Sequence, residues 1–128
     1  MVRMDKLEPA YAISVDHDNR IVNFRVSGFW ELEPVRELLR DMDRKAAPLV
    51  ASGRPFDGLG VLRDMATQTR DVAEYLRRHL ESSRLAGLRR VAIIDPPALV
   101  RLQYQRISNG LEVEFFQSEA EGRAWLQG

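Results

Sequence analysis

Apolar and polar residues alternate along two short stretches near the start of the chain, and this period of two predicts two β-strands. The stretches are YAISVD at residues 11–16 and IVNFRVSG at residues 21–28. The polar segment HDNR lies between them, and its Asp18-Asn19 pair can adopt positive φ in a tight turn. We therefore predict an antiparallel hairpin, preceded by a loose leader over residues 1–10.

The period then changes to that of an amphipathic helix. Apolar residues recur at helical spacing at Val35, Leu38, Leu39, Met42, Ala46 and Leu49. Pro34 suits the first turn of this helix, and Pro48 is expected to end or kink it. Residues 51–58, ASGRPFDG, are predicted as a loop that leads into a short apolar strand, LGVLRDM.

Three more elements of alternating type follow. A helix is predicted from Thr69, its expected N-cap, to about Ala86, where Gly87 ends it. The apolar segment RRVAIID at residues 89–95 is typical of a buried parallel strand. A third helix is expected over residues 96–110, with Asp95 as its cap and Val100, Tyr104 and Ile107 on its core face.

The chain closes with a strand and a helix. LEVEFF at residues 111–116 is the strand, and Ser118 with Glu121 forms an S-x-x-E capping box for the helix. The resulting order, ββαβαβαβα, predicts a single α/β domain over residues 11–127. Its sheet is expected to be mixed but mostly parallel, with helices packed on it.

Composition narrows the classes of partner. Nineteen basic residues balance nineteen acidic ones, so no long-range attraction to nucleic acid is expected. Zero net charge also leaves self-association easy. The chain has no cysteine, which excludes disulfides and thiolate metal sites and fits a cytoplasmic protein.

Little in the chain points to catalysis, a metal or a cofactor. Gly58 and Gly60 come before a strand rather than between a strand and a helix, so we interpret them as a flexible lead-in. His17 and His79 lack the spacing of a metal pair and are interpreted as surface residues. An enzyme stays an alternative at low weight, with Asp64 and Asp95 at two strand ends as its candidate groups.

The basic pairs of the chain also have a simple interpretation. Arg77-Arg78 and Arg89-Arg90 stand among acidic residues, which favours a solvated helix face and a strand edge over a phosphate site. Apolar residues outside the core pattern are more informative. One member of Phe29-Trp30 is expected to pack under the first helix and the other to line an opening, while Leu99 and Leu102 predict a partner surface or a pocket rim.

Four features together resemble the SpoIIAA-like family of the STAS superfamily, the fold of anti-sigma-factor antagonists and of the cytoplasmic ends of sulfate transporters. They are the element order, VSGFW at residues 26–30, VLRDMATQTRDVAEYL at residues 61–76, and FFQSEAEGRAWL at residues 115–126. The resemblance spans residues 11–127. It implies a STAS fold and a binding module without catalysis. It also implies a topology similar to that of CRAL-TRIO lipid-binding domains, and an association with hydrophobic ligands, membrane surfaces and dimers.

The leading hypothesis is therefore a non-enzymatic domain that binds a small hydrophobic or lipid-like ligand, or a membrane surface, and forms a homodimer. Open α/β sheets bind ligands near the strand-to-helix junctions. The expected binding residues are Trp30, Met65, Thr67, Pro97 and Leu102.

The alternative is a regulatory domain that binds a protein partner and is switched by phosphorylation of Thr67 or Thr69. In the antagonists that the chain resembles, the phosphorylated serine lies between the third strand and the second helix, in the pattern Asp-Ser-Ser-Gly. This chain has ATQTRD at residues 66–71 instead. A phosphate there would be favoured by the start of the helix and by Arg63 and Arg70 nearby.

Overall fold

A computed structural model describes residues 8–128 and has the predicted order ββαβαβαβα. The strands are β1 (Ala10–Asp16), β2 (Ile21–Ser27), β3 (Phe56–Val61), β4 (Leu88–Ile94) and β5 (Glu112–Phe116). The helices are α1 (Leu32–Ala51), α2 (Arg70–Leu85), α3 (Ala98–Ile107) and α4 (Glu119–Gln127). Most of the predicted leader, residues 1–7, lies outside the described residues, and Ala10 already pairs with Ser27 in the sheet.

The five strands form one mixed sheet in the order β1-β2-β3-β4-β5. β1 is antiparallel to β2, whereas the pairs β2–β3, β3–β4 and β4–β5 are parallel, so the sheet is mixed but mostly parallel, as predicted. Helices α1, α2 and α3 pack on one face, where Val35, Val72 and Val100 share a core cluster. Helix α4 covers the other face, and its Leu126 packs with Leu59 of β3.

The apolar stripe predicted for α1 is confirmed, because every one of its six residues packs in the core on the three-helix face. The helix does not end at Pro48 but continues to Ala51. The guanidinium of Arg20 donates to the carbonyl oxygens of Leu49 at 3.2 Å and of Arg54 at 2.8 Å. A cation at the C-terminal end of a helix stabilises its unpaired carbonyl groups, so Arg20 holds this end of α1 in place.

The hairpin turn differs from the prediction in one residue. The positive φ falls on Arg20, at 59°, and not on Asp18 or Asn19. The carboxylate of Asp16 accepts hydrogen bonds from the backbone N–H of Asn19 at 3.0 Å and from its side-chain amide at 2.9 Å. These two bonds hold Asn19 against Asp16 inside the turn. They also hold the pKa of the Asp16 carboxyl below its usual value.

Strand β3 begins three residues earlier than predicted, and this corrects the interpretation of Gly58 and Gly60 as a flexible lead-in. Both glycines lie inside the strand, are buried, and have no positive φ. Glycine usually weakens a strand, so the local pattern concealed the first half of β3.

An ion pair between a buried carboxylate and a half-exposed guanidinium ties β3 to β4. The guanidinium of Arg89 donates to both carboxylate oxygens of Asp57, at 3.1 and 2.9 Å. It also donates to the carbonyl oxygen of Leu126 in α4, at 3.3 Å. The half-exposed side chain of Arg89 therefore fastens the end of α4 to the centre of the sheet.

Helix α4 begins as predicted. The hydroxyl of Ser118 accepts a hydrogen bond from the backbone N–H of Glu121 at 3.2 Å and donates to the Glu121 carboxylate at 3.0 Å. Gly122 faces the sheet, where an added Cβ would lie 2.7 Å from Cδ1 of Ile94. The absence of a side chain at this position lets α4 approach β4 closely.

Candidate functional site

The three-helix face of the sheet encloses an apolar cavity of about 480 Å³, which opens to solvent. Its volume falls within the roughly 300–1,000 Å³ typical of small-molecule sites. Strands β2, β3 and β4 form the floor, and helices α1, α2 and α3 form the walls. The walls are mainly aliphatic, so the space is suited to an apolar molecule.

Gly58 opens the floor of the cavity. It lies on the helix-facing side of β3, between the side chains of Phe24 and Val91. An added Cβ would lie 3.5 Å from Cγ2 of Val91 and 3.6 Å from Cε1 of Phe24, which are ordinary contact distances. The space above Gly58 is therefore part of the cavity because this strand position has no side chain.

Gly60, two residues further along the same face, has a different role. Here an added Cβ would fall 2.1 Å from Cε2 of Phe24. The ring of Phe24 lies directly against the backbone of Gly60, and the ring itself lines the cavity. Gly58 therefore leaves space at the floor of the cavity, and Gly60 sets the position of the Phe24 ring, the one aromatic ring that β2 contributes to that floor.

Gln68 closes the cavity near the carboxyl ends of β2 and β3. Its side-chain oxygen accepts from the backbone N–H of Trp30 at 2.8 Å, and its side-chain nitrogen donates to the carbonyl oxygens of Gly28 at 3.2 Å and Ala66 at 2.6 Å. Its backbone exchanges two hydrogen bonds with the amide of Gln103, at 2.8 and 3.0 Å. One buried amide thus joins the β2–α1 loop, the β3–α2 loop and helix α3.

Small residues line the opposite end. Ala47, Ala51, Ser82 and Ala86 contribute to the cavity from the C-terminal ends of α1 and α2, and all four are exposed. Because their side chains are small and reach solvent, the cavity opens between these two helix ends.

His79 and Asp43 form a polar contact across the gap between α2 and α1. Nε2 of His79 lies 2.7 Å from Oδ1 of Asp43, and both residues line the cavity. The imidazole is largely buried, whereas the carboxylate is mostly exposed, so the pair lies at the rim. His79, interpreted from the sequence as a surface residue, is therefore largely buried and contacts one carboxylate.

Tyr104 of α3 forms part of the cavity wall. Its ring meets Phe115 of β5 edge-on, with the ring centroids 6.5 Å apart. Burial alone raises the pKa of the phenol well above its usual value, so the hydroxyl stays protonated at neutral pH. Within residues 8–128, no hydrogen bond to this hydroxyl is formed.

The five residues predicted to bind a ligand do not come together. Met65 lines the cavity, and Trp30 is buried in the adjoining core, where its indole N–H donates to the carbonyl oxygen of Ser27 at 2.9 Å. Thr67, Pro97 and Leu102 are exposed and lie outside the cavity. Trp30 rather than Phe29 is the buried member of the aromatic pair.

The residues that shape the cavity were largely missed by sequence reasoning. Gln68, Gln103 and His79 are ordinary polar residues in helical or loop segments, and no spacing rule relates them. Two glycines in a short apolar strand were the one available signal. A pair of glycines on one strand face, as at Gly58 and Gly60, often marks a close approach of backbone to a ring or ligand.

One of the two strand-end acids, Asp95, has a structural partner. Oδ2 of Asp95 accepts a hydrogen bond from Nε of Arg63 at 2.9 Å, and Asp95 has a φ of 52°. Asp95 therefore does not cap α3, whose N-cap residue is Pro97. Asp64 is exposed at the end of the preceding segment.

Thr69 is the N-cap residue of α2, as predicted, but its side chain makes no capping hydrogen bond. Thr67 and Thr69 are both exposed. Their hydroxyls are thus accessible on the surface near the carboxyl end of β3.

No protein-family model, curated protein or solved structure matches this chain significantly. Among the described residues, 8–128, no helix combines the length and the apolar character that crossing a membrane requires. The geometry of the cavity is therefore the main guide to function.

Proposed function

We propose that this chain is a non-enzymatic binding domain that holds a small, largely apolar ligand between its three-helix layer and its sheet. The observation that carries the proposal is the cavity of about 480 Å³ among otherwise buried aliphatic side chains. Natural cores are packed as densely as organic crystals, and apolar groups that face a void lose dispersion contacts. A ligand that fills the space restores those contacts, which favours its uptake.

Within this proposal we assign the chain to the SpoIIAA-like branch of the STAS superfamily. The assignment is supported by the order ββαβαβαβα and by the segments VSGFW and FFQSEAEGRAWL. It is also supported by the place of the cavity between helices and sheet, where the CRAL-TRIO-like topology implied by the resemblance would hold its ligand.

Binding can be tested directly with an uncharged apolar probe. We expect 1,6-diphenylhexatriene to increase in fluorescence when titrated with the purified protein. Gly58→Val should weaken this binding roughly tenfold, because the two methyl groups of the added isopropyl side chain occupy space for ligand groups worth about 0.8 kcal/mol each. Ala124→Val adds two methyl groups to an exposed position of α4 and serves as the control.

Two results would contradict the proposal. One is the failure of the probe to bind the folded protein after extraction of any co-purified lipid. The other is equal binding by the wild type and by a folded Gly58→Val variant, which would place the probe elsewhere. Native mass spectrometry of the unextracted protein provides an independent measurement, and we expect it to show an added mass.

A phosphorylation switch is the second candidate function. It is favoured by the exposure of Thr67 and by the unused hydroxyl of Thr69 at the start of α2. Of the two basic residues expected to favour a phosphate here, Arg63 is already paired with Asp95. Arg70, which directly follows Thr69 in the sequence, is the other. Phosphoproteomics of the native protein, with a Thr67→Ala/Thr69→Ala variant as control, tests it. Unchanged partner binding by that variant would refute it.

A further inference from the structure

The charges around the cavity restrict what it can bind, and this inference rests on the proposed function. Among the described residues, no lysine or arginine lines the cavity. Its two ionisable rim residues, Asp43 and His79, lie 2.7 Å apart and partner each other. An anionic head group that entered the cavity would lose its hydration and find no free cation, which is unfavourable.

Most of the polar groups that line the cavity already have partners. The side-chain amides of Gln68 and Gln103 are both hydrogen-bonded to backbone groups, at 2.6 to 3.2 Å. The hydroxyl of Ser83 donates to the carbonyl oxygen of His79 at 2.8 Å. Ser82 is exposed at the open end, where water can reach it.

Tyr104 is the exception. Its ring is held edge-on against Phe115, it keeps some accessible surface, and it lines the cavity. Its hydroxyl forms no hydrogen bond within residues 8–128 and is not sealed from solvent, so the acceptor of a bound ligand can replace water as its partner.

We propose that the Tyr104 hydroxyl donates a hydrogen bond to the ligand, and that the cavity selects uncharged apolar molecules that carry one hydrogen-bond acceptor, such as a ketone, ester or ether oxygen. The hydrocarbon part of such a ligand occupies the space above Gly58, between the aliphatic walls. The ligand is assigned an acceptor because the O–H of a neutral phenol, although it can also accept, is the stronger as a donor.

Three ten-carbon competitors test the selection by displacing 1,6-diphenylhexatriene. They are 2-decanone, which has an acceptor, decane, which has none, and decanoate at pH 8, which is an anion. We expect 2-decanone to be the best competitor. Tyr104→Phe should weaken the binding of 2-decanone about fivefold, the factor expected for one neutral hydrogen bond. The same variant should leave the binding of decane unchanged. Tyr75→Phe is the matched control, because it removes the hydroxyl of a tyrosine in α2 that does not line the cavity.

The outcomes separate this inference from the proposed function. If the probe does not bind the wild type, both fail. If the probe binds but Tyr104→Phe leaves 2-decanone unchanged, or decanoate competes best, apolar binding stands and the selection by Tyr104 is wrong. Chemical denaturation of both tyrosine variants confirms that each is folded before it is compared.

Discussion

Two glycines on the same face of β3 differ in what they allow. At Gly58 a methyl group meets its neighbours at ordinary distances, whereas at Gly60 it overlaps the ring of Phe24. We expect Gly58→Ala to raise the free energy of unfolding by about 0.4–1 kcal/mol, because it reduces the entropy of the unfolded chain without strain. Gly60→Ala should lower it by about 1–3 kcal/mol, the usual cost of overpacking.

Urea denaturation of the two glycine variants, measured side by side, checks this prediction. Equal effects would mean that the ring of Phe24 is not fixed by Gly60. The probe titration adds a second measurement. Because the ring of Phe24 lines the cavity, its displacement into the cavity by Gly60→Ala should also reduce probe binding.

Tyr104 makes the protein sensitive to alkali. Burial raises the pKa of its phenol above the ordinary value of 10.0, so the charged form is disfavoured in the folded state. The stability that follows is complete below pH 10 and is lost as the pH rises above it, since the unfolded chain then releases the proton more readily. We expect a greater loss between pH 8 and 11 in the wild type than in Tyr104→Phe. Denaturation curves of both proteins at the two pH values measure this loss of stability. The same loss in the wild type and in Tyr104→Phe would contradict the prediction.

At the scale of elements, the Asp57–Arg89 pair connects β3, β4 and α4. The side chain of Asp57 is 7% exposed and that of Arg89 is 49% exposed. Arg89→Ala should therefore cost more stability than Asp57→Ala, because it leaves a buried carboxylate without a partner while the guanidinium can turn to water. We expect Arg89→Ala to lower the free energy of unfolding by about 2–4 kcal/mol and Asp57→Ala to lower it by about 1–2 kcal/mol. A double-mutant cycle measures both, and the reverse order would contradict the assigned burial.

The helix starts provide a second comparison between elements. Ser118 accepts a true capping bond at the start of α4, whereas the side chain of Thr69 accepts none at the start of α2. We expect Ser118→Ala to cost about 1 kcal/mol, as typical caps do, and Thr69→Ala to cost clearly less. Thermal unfolding of the two variants distinguishes them. A Thr69→Ala loss as large as that of Ser118→Ala would show that Thr69 caps α2 in solution.

At the scale of the whole molecule, α1, α2 and α3 share one face of the sheet while α4 has the other. The predicted homodimer stays a prediction. Leu99 and Leu102, one turn apart on α3, are 67% and 50% exposed and are the natural place to test it. We expect a Leu99→Ser/Leu102→Ser variant to be monomeric in light scattering if the wild type is a dimer through α3. A dimer that persists in the variant would move the interface elsewhere.

Much of the architecture could be predicted from local pattern. The stripe of α1 from Val35 to Leu49, the capping box at Ser118 and the alternation in β2 each depend on residues close in sequence, where geometry is set by a period of 3.6 or 2. The predicted binding residues agree with the cavity only at Met65. Trp30 looked available for a ligand, but its indole and backbone N–H groups have partners in the core and its loop.

The sequence by itself determined the order of elements, the α/β class and the apolar faces, because these follow from contacts between near neighbours along the chain. Only the tertiary structure decided the site. The contacts that shape the cavity join residues far apart in sequence, such as Gln68 with Gln103 and Asp43 with His79. Its volume exists because three helices meet the sheet over a strand position, Gly58, that has no side chain to fill it.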